Sequence, residues 1–131
     1  MVVDAEKPAA VETLRRRKHR EEKPLAVMSG DIESIRQFAV VGQENEVLLQ
    51  SRQRPIVLLE KKKDYALAGG VSPKNCTVGV MLPYTPLHYL LVKNHFTALV
   101  MTSGNLSEEP IAIDNEDAFD RLKDIADYFL V

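Results

Sequence analysis

"ALVMTSGNLSEEPIAIDNEDA", residues 98–118, decides the fold class. Apolar residues from Ala98 to Met101 read as a buried strand, and they stop at Thr102-Ser103-Gly104-Asn105. Ser107 and a Glu-Glu-Pro follow, and Asp114 then stands where a helix wants its N-cap. Strand, polar loop and helix in that order is the unit of an α/β sheet.

The same alternation extends in both directions. "TVGVMLPY" reads as a strand ended by Pro83, and "PLHYLLVKN" as a helix with Pro86 at its start. "RPIVLLEKK" is a strand entered at Pro55, and "ENEVLLQS" a short helix before it. Ile32, Ile35, Phe38 and Ala39 share one face of a helix capped by Ser29 or Asp31, and "LAVM" is a short buried strand. "KPAAVETLRRRKHR" is a helix with Pro8 in its first turn and an apolar stripe of Ala10, Val11 and Leu14. Residues 62–76, with Gly-Gly, Pro and Asn, read as a long surface loop. "MVV" reads as the end of a strand and "YFLV" as a last one, so both ends look cut and the chain reads as a fragment. Uniformly apolar strands alternating with helices predict an α/β fold with a twisted mixed or mostly parallel sheet and flanking helices.

Composition bounds the function. The chain has 131 residues, enough for one domain, and its net charge of -2 exerts no global pull on nucleic acid or anionic membrane. One cysteine, Cys76, excludes an internal disulfide and a multi-cysteine zinc site. It sits in a polar loop with no evident base and reads as an incidental thiol. No apolar run has the length of a membrane span and no signal pattern opens the chain, so a cytoplasmic location is the default expectation. His19, His88 and His95 make no metal-ligand spacing, and His88 reads as a satisfied, partly buried helix residue. No Walker or dinucleotide glycine pattern is present.

Two constellations remain. Arg15, Arg16, Arg17, Lys18, Arg20 and Lys23 crowd the end of the first helix. At 100° per residue they cannot share one face. They are either a solvated helix end favoured by the dipole or a convergent phosphate site. Thr102, Ser103, Asn105 and Ser107 are either a loop satisfying itself or donors at a strand end, where Gly104 lets a ligand approach the backbone.

Together these residues resemble the YrdC/Sua5 family. "RKHREEKPL" is similar to its K-x-R…(K/N)-P-L segment, "RPIVLL" to its proline-containing strand, and "TSGNLSEEP" to its T-S-A-N-x-S-G-x-P loop, all in the family's order. The longer strings "LRRRKHREEKPLAVM" and "GVMLPYTPLHYLLV" resemble one branch, the YrdC-like domain of the HypF carbamoyltransferases of nickel–iron hydrogenase maturation. The resemblance implies an adenylate-forming enzyme: a carbamoyl group from carbamoyl phosphate is joined to AMP from ATP, with Mg²⁺, and passed to the C-terminal cysteine of the partner HypE. It implies Lys18 and Arg20 as the catalytic K-x-R pair, with Arg17 a competing match, and Lys23 beside them. It implies Ser103 and Asn105 as the nucleotide- and carbamoyl-binding S-x-N pair, with Thr102 and Ser107 as further contacts. The family's P-T-x-T-x-Y-G-L segment is missing, and Met81 stands where relatives outside the branch have Arg. A threonylcarbamoyl-AMP synthase of the tRNA-modifying branch, or a non-catalytic surface for double-stranded RNA, are the alternatives.

Overall fold

A computed structural model describes residues 1–93 and 95–131. Five strands form one sheet: β1 (Val2–Asp4), β2 (Ala26–Met28), β3 (Val57–Glu60), β4 (Thr77–Met81) and β5 (Leu99–Met101), in the order β1-β5-β2-β4-β3. Only β2 and β4 run parallel. β1 with β5, β5 with β2, and β4 with β3 are antiparallel. The sheet is therefore mixed and not mostly parallel. Of the antiparallel pairs only β3 with β4 joins strands consecutive in the chain, while β5 returns from the C-terminal half to lie between β1 and β2.

The alternation of side chains across the sheet builds two cores. Val27, Val78, Val80 and Val100 face the larger one with Leu14, Ile35 and Phe38. Met28, Met81 and Leu99 face the smaller one with Val92. The helices α1 (Pro8–Arg17), α2 (Ile32–Ile35), α3 (Gln43–Gln50), α4 (Pro86–Val92) and α5 (Asn115–Leu122) complete the described secondary structure, with a short 3₁₀ turn at Gly69–Val71. Their starts follow ordinary capping chemistry. Of the two candidate caps for α2 it is Asp31 that accepts from Ser34 N at 2.7 Å, while Thr85 caps α4 and Asp114 caps α5. Pro8 and Pro86 occupy first-turn positions where a missing N–H costs nothing. Among the described residues no helix is long and apolar enough to cross a membrane.

Three local expectations change. Residues 62–76 are a surface loop only at their ends: residues 62–64 and 74–76 are exposed, while Leu67, Ala68 and Val71 are buried in the main core and Ser72 donates to Thr77 O. Of the Gly-Gly pair, Gly69 is exposed while Gly70 packs against α1, where an added Cβ would lie 3.2 Å from Val11 Cγ1. "YFLV" forms no strand. Phe129 packs on Phe119 of α5 instead, with ring centroids 4.8 Å apart. His88 lies half-buried at the edge of the Tyr84 ring, and its Nδ1 has no partner among the described residues, so it is not satisfied.

Candidate functional site

α1 ends at Arg17, three residues short of the predicted helix, and the reason lies in the backbone. His19 adopts a left-handed φ of 51°. Its N–H bonds Arg16 O and the N–H of Arg20 bonds Arg15 O, a Schellman closure with histidine in the place glycine usually takes. The turn throws Lys18 inward and sends Arg20 to Lys23 back across the helix end.

Lys18 meets the 102–107 loop there. Its side chain is 1% exposed. Nζ donates to Asn105 O at 2.6 Å, to Ser103 O at 2.9 Å and to Asn105 Oδ1 at 3.4 Å. Ser107 Oγ returns a bond of 2.8 Å to Lys18 O, satisfying a carbonyl the helix leaves open. Ser103 Oγ donates to Asn105 Oδ1 at 2.6 Å, and Asn105 Nδ2 donates to Glu109 O at 2.6 Å. The helix end and the loop, more than eighty residues apart in sequence, are one hydrogen-bonded unit. Lys18 is its post: all three ammonium protons are directed at loop oxygens.

Those oxygens are neutral, and the price shows in the acidity of Lys18. Burial, reinforced by the nearby Arg20 charge, pulls its pKa from 10.5 down to about 8. Below pH 8 the ammonium is present in both folded and unfolded chains, and the cost of burying it is felt in full. Between about 8 and 10.5 the unfolded chain still holds the proton that the folded chain has released, so stability gains from rising pH. Urea unfolding of the parent chain and of Lys18→Met at pH 7.5, 9 and 10 is expected to show the stability difference growing in the parent's favour. A difference independent of pH contradicts the buried, carboxylate-free setting of Lys18.

The other predicted residues divide. Arg20 and Lys23 line a hollow of about 510 Å³ with His19, Glu21, Glu22, Ser107 and Glu108. Arg20 spends Nε on Lys23 O and Nη2 on Pro24 O, and Lys23 Nζ lies 3.4 Å from Glu108 Oε1. Glu108 is exposed and stands at the rim of this hollow with a left-handed φ of 70°. Thr102 is held by its backbone, which exchanges bonds with Met1 and so extends the β1–β5 pair, and no hydrogen bond among the described residues joins it to Lys18. Arg17 leaves it altogether. Its guanidinium binds Asp127 Oδ1 at 2.8 Å and Ile125 O at 2.9 Å, on the far side of α1, so it does not compete with Lys18. Gly104 offers no special approach either, because its φ is not left-handed and an added Cβ would meet Leu122 at an ordinary 3.5 Å.

Sequence reading counted Arg15 in the basic cluster but gave it no role of its own. It sits one turn before Lys18 and donates to backbone carbonyls of both the 20–23 turn and the Gly69–Val71 turn. Its partners are main-chain atoms, which leave no mark on residue type, so no motif could have announced it. Burial and Arg20 lower its pKa.

Comparison with known proteins places this arrangement. The Sua5/YciO/YrdC family model, described as "Telomere recombination", matches residues 1–131. The carbamoyltransferase HypF of Synechocystis sp. is 53% identical over 128 residues, which is 98% of this chain and 17% of that protein. The carbamoyltransferase HypF2 of Cupriavidus necator is 40% identical over 146 residues, 100% of this chain and 18% of that one. The chain thus spans under a fifth of the length of these relatives. A full-length HypF solved in a phosphate- and nucleotide-bound form superposes with a TM-score of 0.94 at 54% identity, covering 99% of this chain and 20% of that one. The Sua5 of P. abyssi complexed with L-threonine superposes with a TM-score of 0.81 at 18% identity, a likeness of fold alone.

Proposed function

The chain belongs to the Sua5/YciO/YrdC family, and from that premise we propose that it is the YrdC-like part of a HypF-type carbamoyltransferase that forms carbamoyl-AMP. The observation that carries the proposal is the union of Lys18 with Ser103 and Asn105 beside a hollow lined by Arg20 and Lys23. The sequence likeness to a HypF known in a nucleotide- and phosphate-bound form supports it.

In this reading carbamate, formed by hydrolysis of carbamoyl phosphate with release of inorganic phosphate, attacks the α-phosphorus of ATP through oxygen. The bond to the β-phosphate breaks and pyrophosphate leaves. Negative charge grows on the phosphoryl oxygens and on the leaving group, and fixed cations and donors at that point lower the barrier. Arg20 and Lys23 supply the cations at the hollow, Ser103 supplies an exposed hydroxyl, and Lys18 and Asn105 hold the loop that carries it. No protein nucleophile is required. Among the described residues no group of three His, Cys, Asp or Glu side chains converges to hold a metal, so Mg²⁺ would be brought by the triphosphate. The C-terminal cysteine thiolate of HypE then attacks the carbamoyl carbon, the bond to the AMP oxygen breaks, and AMP leaves as the S-carbamoyl cysteine forms.

Glu108 opposes this use of the hollow, since its carboxylate occupies Lys23 and repels a phosphate. Both partners are heavily exposed, so the pair adds little stability. Glu108→Gln is therefore expected to tighten ATP binding about threefold with the melting temperature unchanged. Calorimetric titration with ATP checks this, and an affinity that stays level or falls removes Lys23 from the site. The reading as a whole is tested by binding of ATP and of duplex RNA across a salt series. Saturable ATP binding with weak RNA binding is expected. A steep salt slope for RNA without ATP binding would identify a nucleic-acid surface instead.

A further inference from the structure

The turn 20–24 carries two of the anion-binding side chains and has no helix or strand to give it shape. Arg15 gives it one. Its guanidinium donates from Nη1 to Arg20 O at 2.8 Å and Glu21 O at 3.0 Å, and from Nη2 to Lys23 O at 3.1 Å. Nε donates to Gly70 O at 2.5 Å, with a longer contact of 3.5 Å from Nη2 to Val71 O. No carboxylate pairs with Arg15 among the described residues. Its planar fork serves carbonyls from two segments at once, which a lysine's single nitrogen cannot reproduce.

The setting makes the fork precise. Arg15 leaves α1 one turn before the Schellman closure, and Arg20 N bonds Arg15 O, so the same residue fixes the turn from its backbone and from its side chain. On the other side Gly70 lies close enough to α1 that its Cβ position is 3.9 Å from Arg15 Nε. The 3₁₀ turn is in turn anchored by Val71, which is fully buried and accepts from Leu25 N. Arg15 thereby ties the mobile-looking turn to the core.

We propose that Arg15 is a positioning residue for anion binding, holding the 20–23 turn so that Arg20 and Lys23 converge on one triphosphate. This rests on the reading of the hollow as the nucleotide site. Arg15 makes no contact of its own with the ligand. It acts through the carbonyls of Arg20, Glu21 and Lys23.

The test is a mutant cycle with ATP as the probe, read as dissociation constants by calorimetry on the full protein. Arg15→Gln is expected to weaken ATP binding about tenfold, and Arg15→Lys about fivefold, because the charge remains but the fork is gone. In the Arg20→Ala/Lys23→Ala background Arg15→Gln is expected to cause no further loss. A general loss of structure would weaken binding equally in both backgrounds, and that result overturns the proposal, as does unchanged affinity in Arg15→Gln. If Arg15→Gln does not fold, Arg15→Lys carries the cycle. If neither folds, Arg15 is a residue of the core and the proposal fails. An Arg20→Ala/Lys23→Ala variant that binds ATP like the parent is a different outcome, sinking the nucleotide reading of the hollow and this inference with it.

Discussion

Replacement of Lys18 by Met is expected to cost about 3 kcal/mol of stability, roughly 10 °C in melting temperature, and to abolish adenylate formation. Lys18 is buried and gives all three donors to the 103–105 loop. Methionine fills much of the volume but leaves the carbonyls of Ser103 and Asn105 without donors where they face the buried Lys18 position. Each such carbonyl costs about 1–3 kcal/mol, offset in part because the ammonium no longer has to be buried. Thermal unfolding checks the first half of the expectation. A melting temperature equal to the parent's would mean that the loop finds other donors and that Lys18 is not its post.

Asn105→Ala separates the site from the fold. The Asn105 amide holds Ser103 Oγ through Oδ1 and the Glu109 carbonyl through Nδ2, and it is only half-buried. Its loss is expected to cost about 1 kcal/mol of stability. Carbamoyl-phosphate-dependent exchange is expected to fall about 100-fold, because the Ser103 hydroxyl that Asn105 Oδ1 orients loses its alignment with the developing charge. Asn105→Asp sharpens the contrast. A carboxylate next to the Lys18 ammonium supplies the counter-charge the site lacks, so this variant is expected to unfold at a higher temperature than Asn105→Ala. It should be no more active, since the new charge repels the triphosphate. Activity that follows stability through the pair would assign Asn105 to the loop's architecture alone.

The strand–loop–helix unit at residues 98–118, the start of α4 at Pro86, the capping of α5 by Asp114, and the pairing of the K-x-R and S-x-N segments were legible because each is written in residue type. The strand order was not. Apolar β-branched runs specify burial on both faces but not the direction of the neighbour, and here β5 inserts between β1 and β2 in antiparallel sense. The middle of residues 62–76 misled because a glycine signals a turn equally well whether it faces water, as Gly69 does, or is pressed against a helix, as Gly70 is. Arg17 and Lys18 were indistinguishable by motif spacing. The left-handed turn at His19, invisible in composition, sends one inward and the other toward Asp127. Arg15 was silent for the same reason that it matters, since all its partners are carbonyls.

The most direct measurement is exchange of labelled pyrophosphate into ATP by the full protein, with and without carbamoyl phosphate. Carbamoyl-AMP formation is reversible at the step that releases pyrophosphate, so label is predicted to enter ATP only when carbamoyl phosphate is present. No incorporation under either condition, or incorporation that needs threonine and bicarbonate instead, would contradict the account.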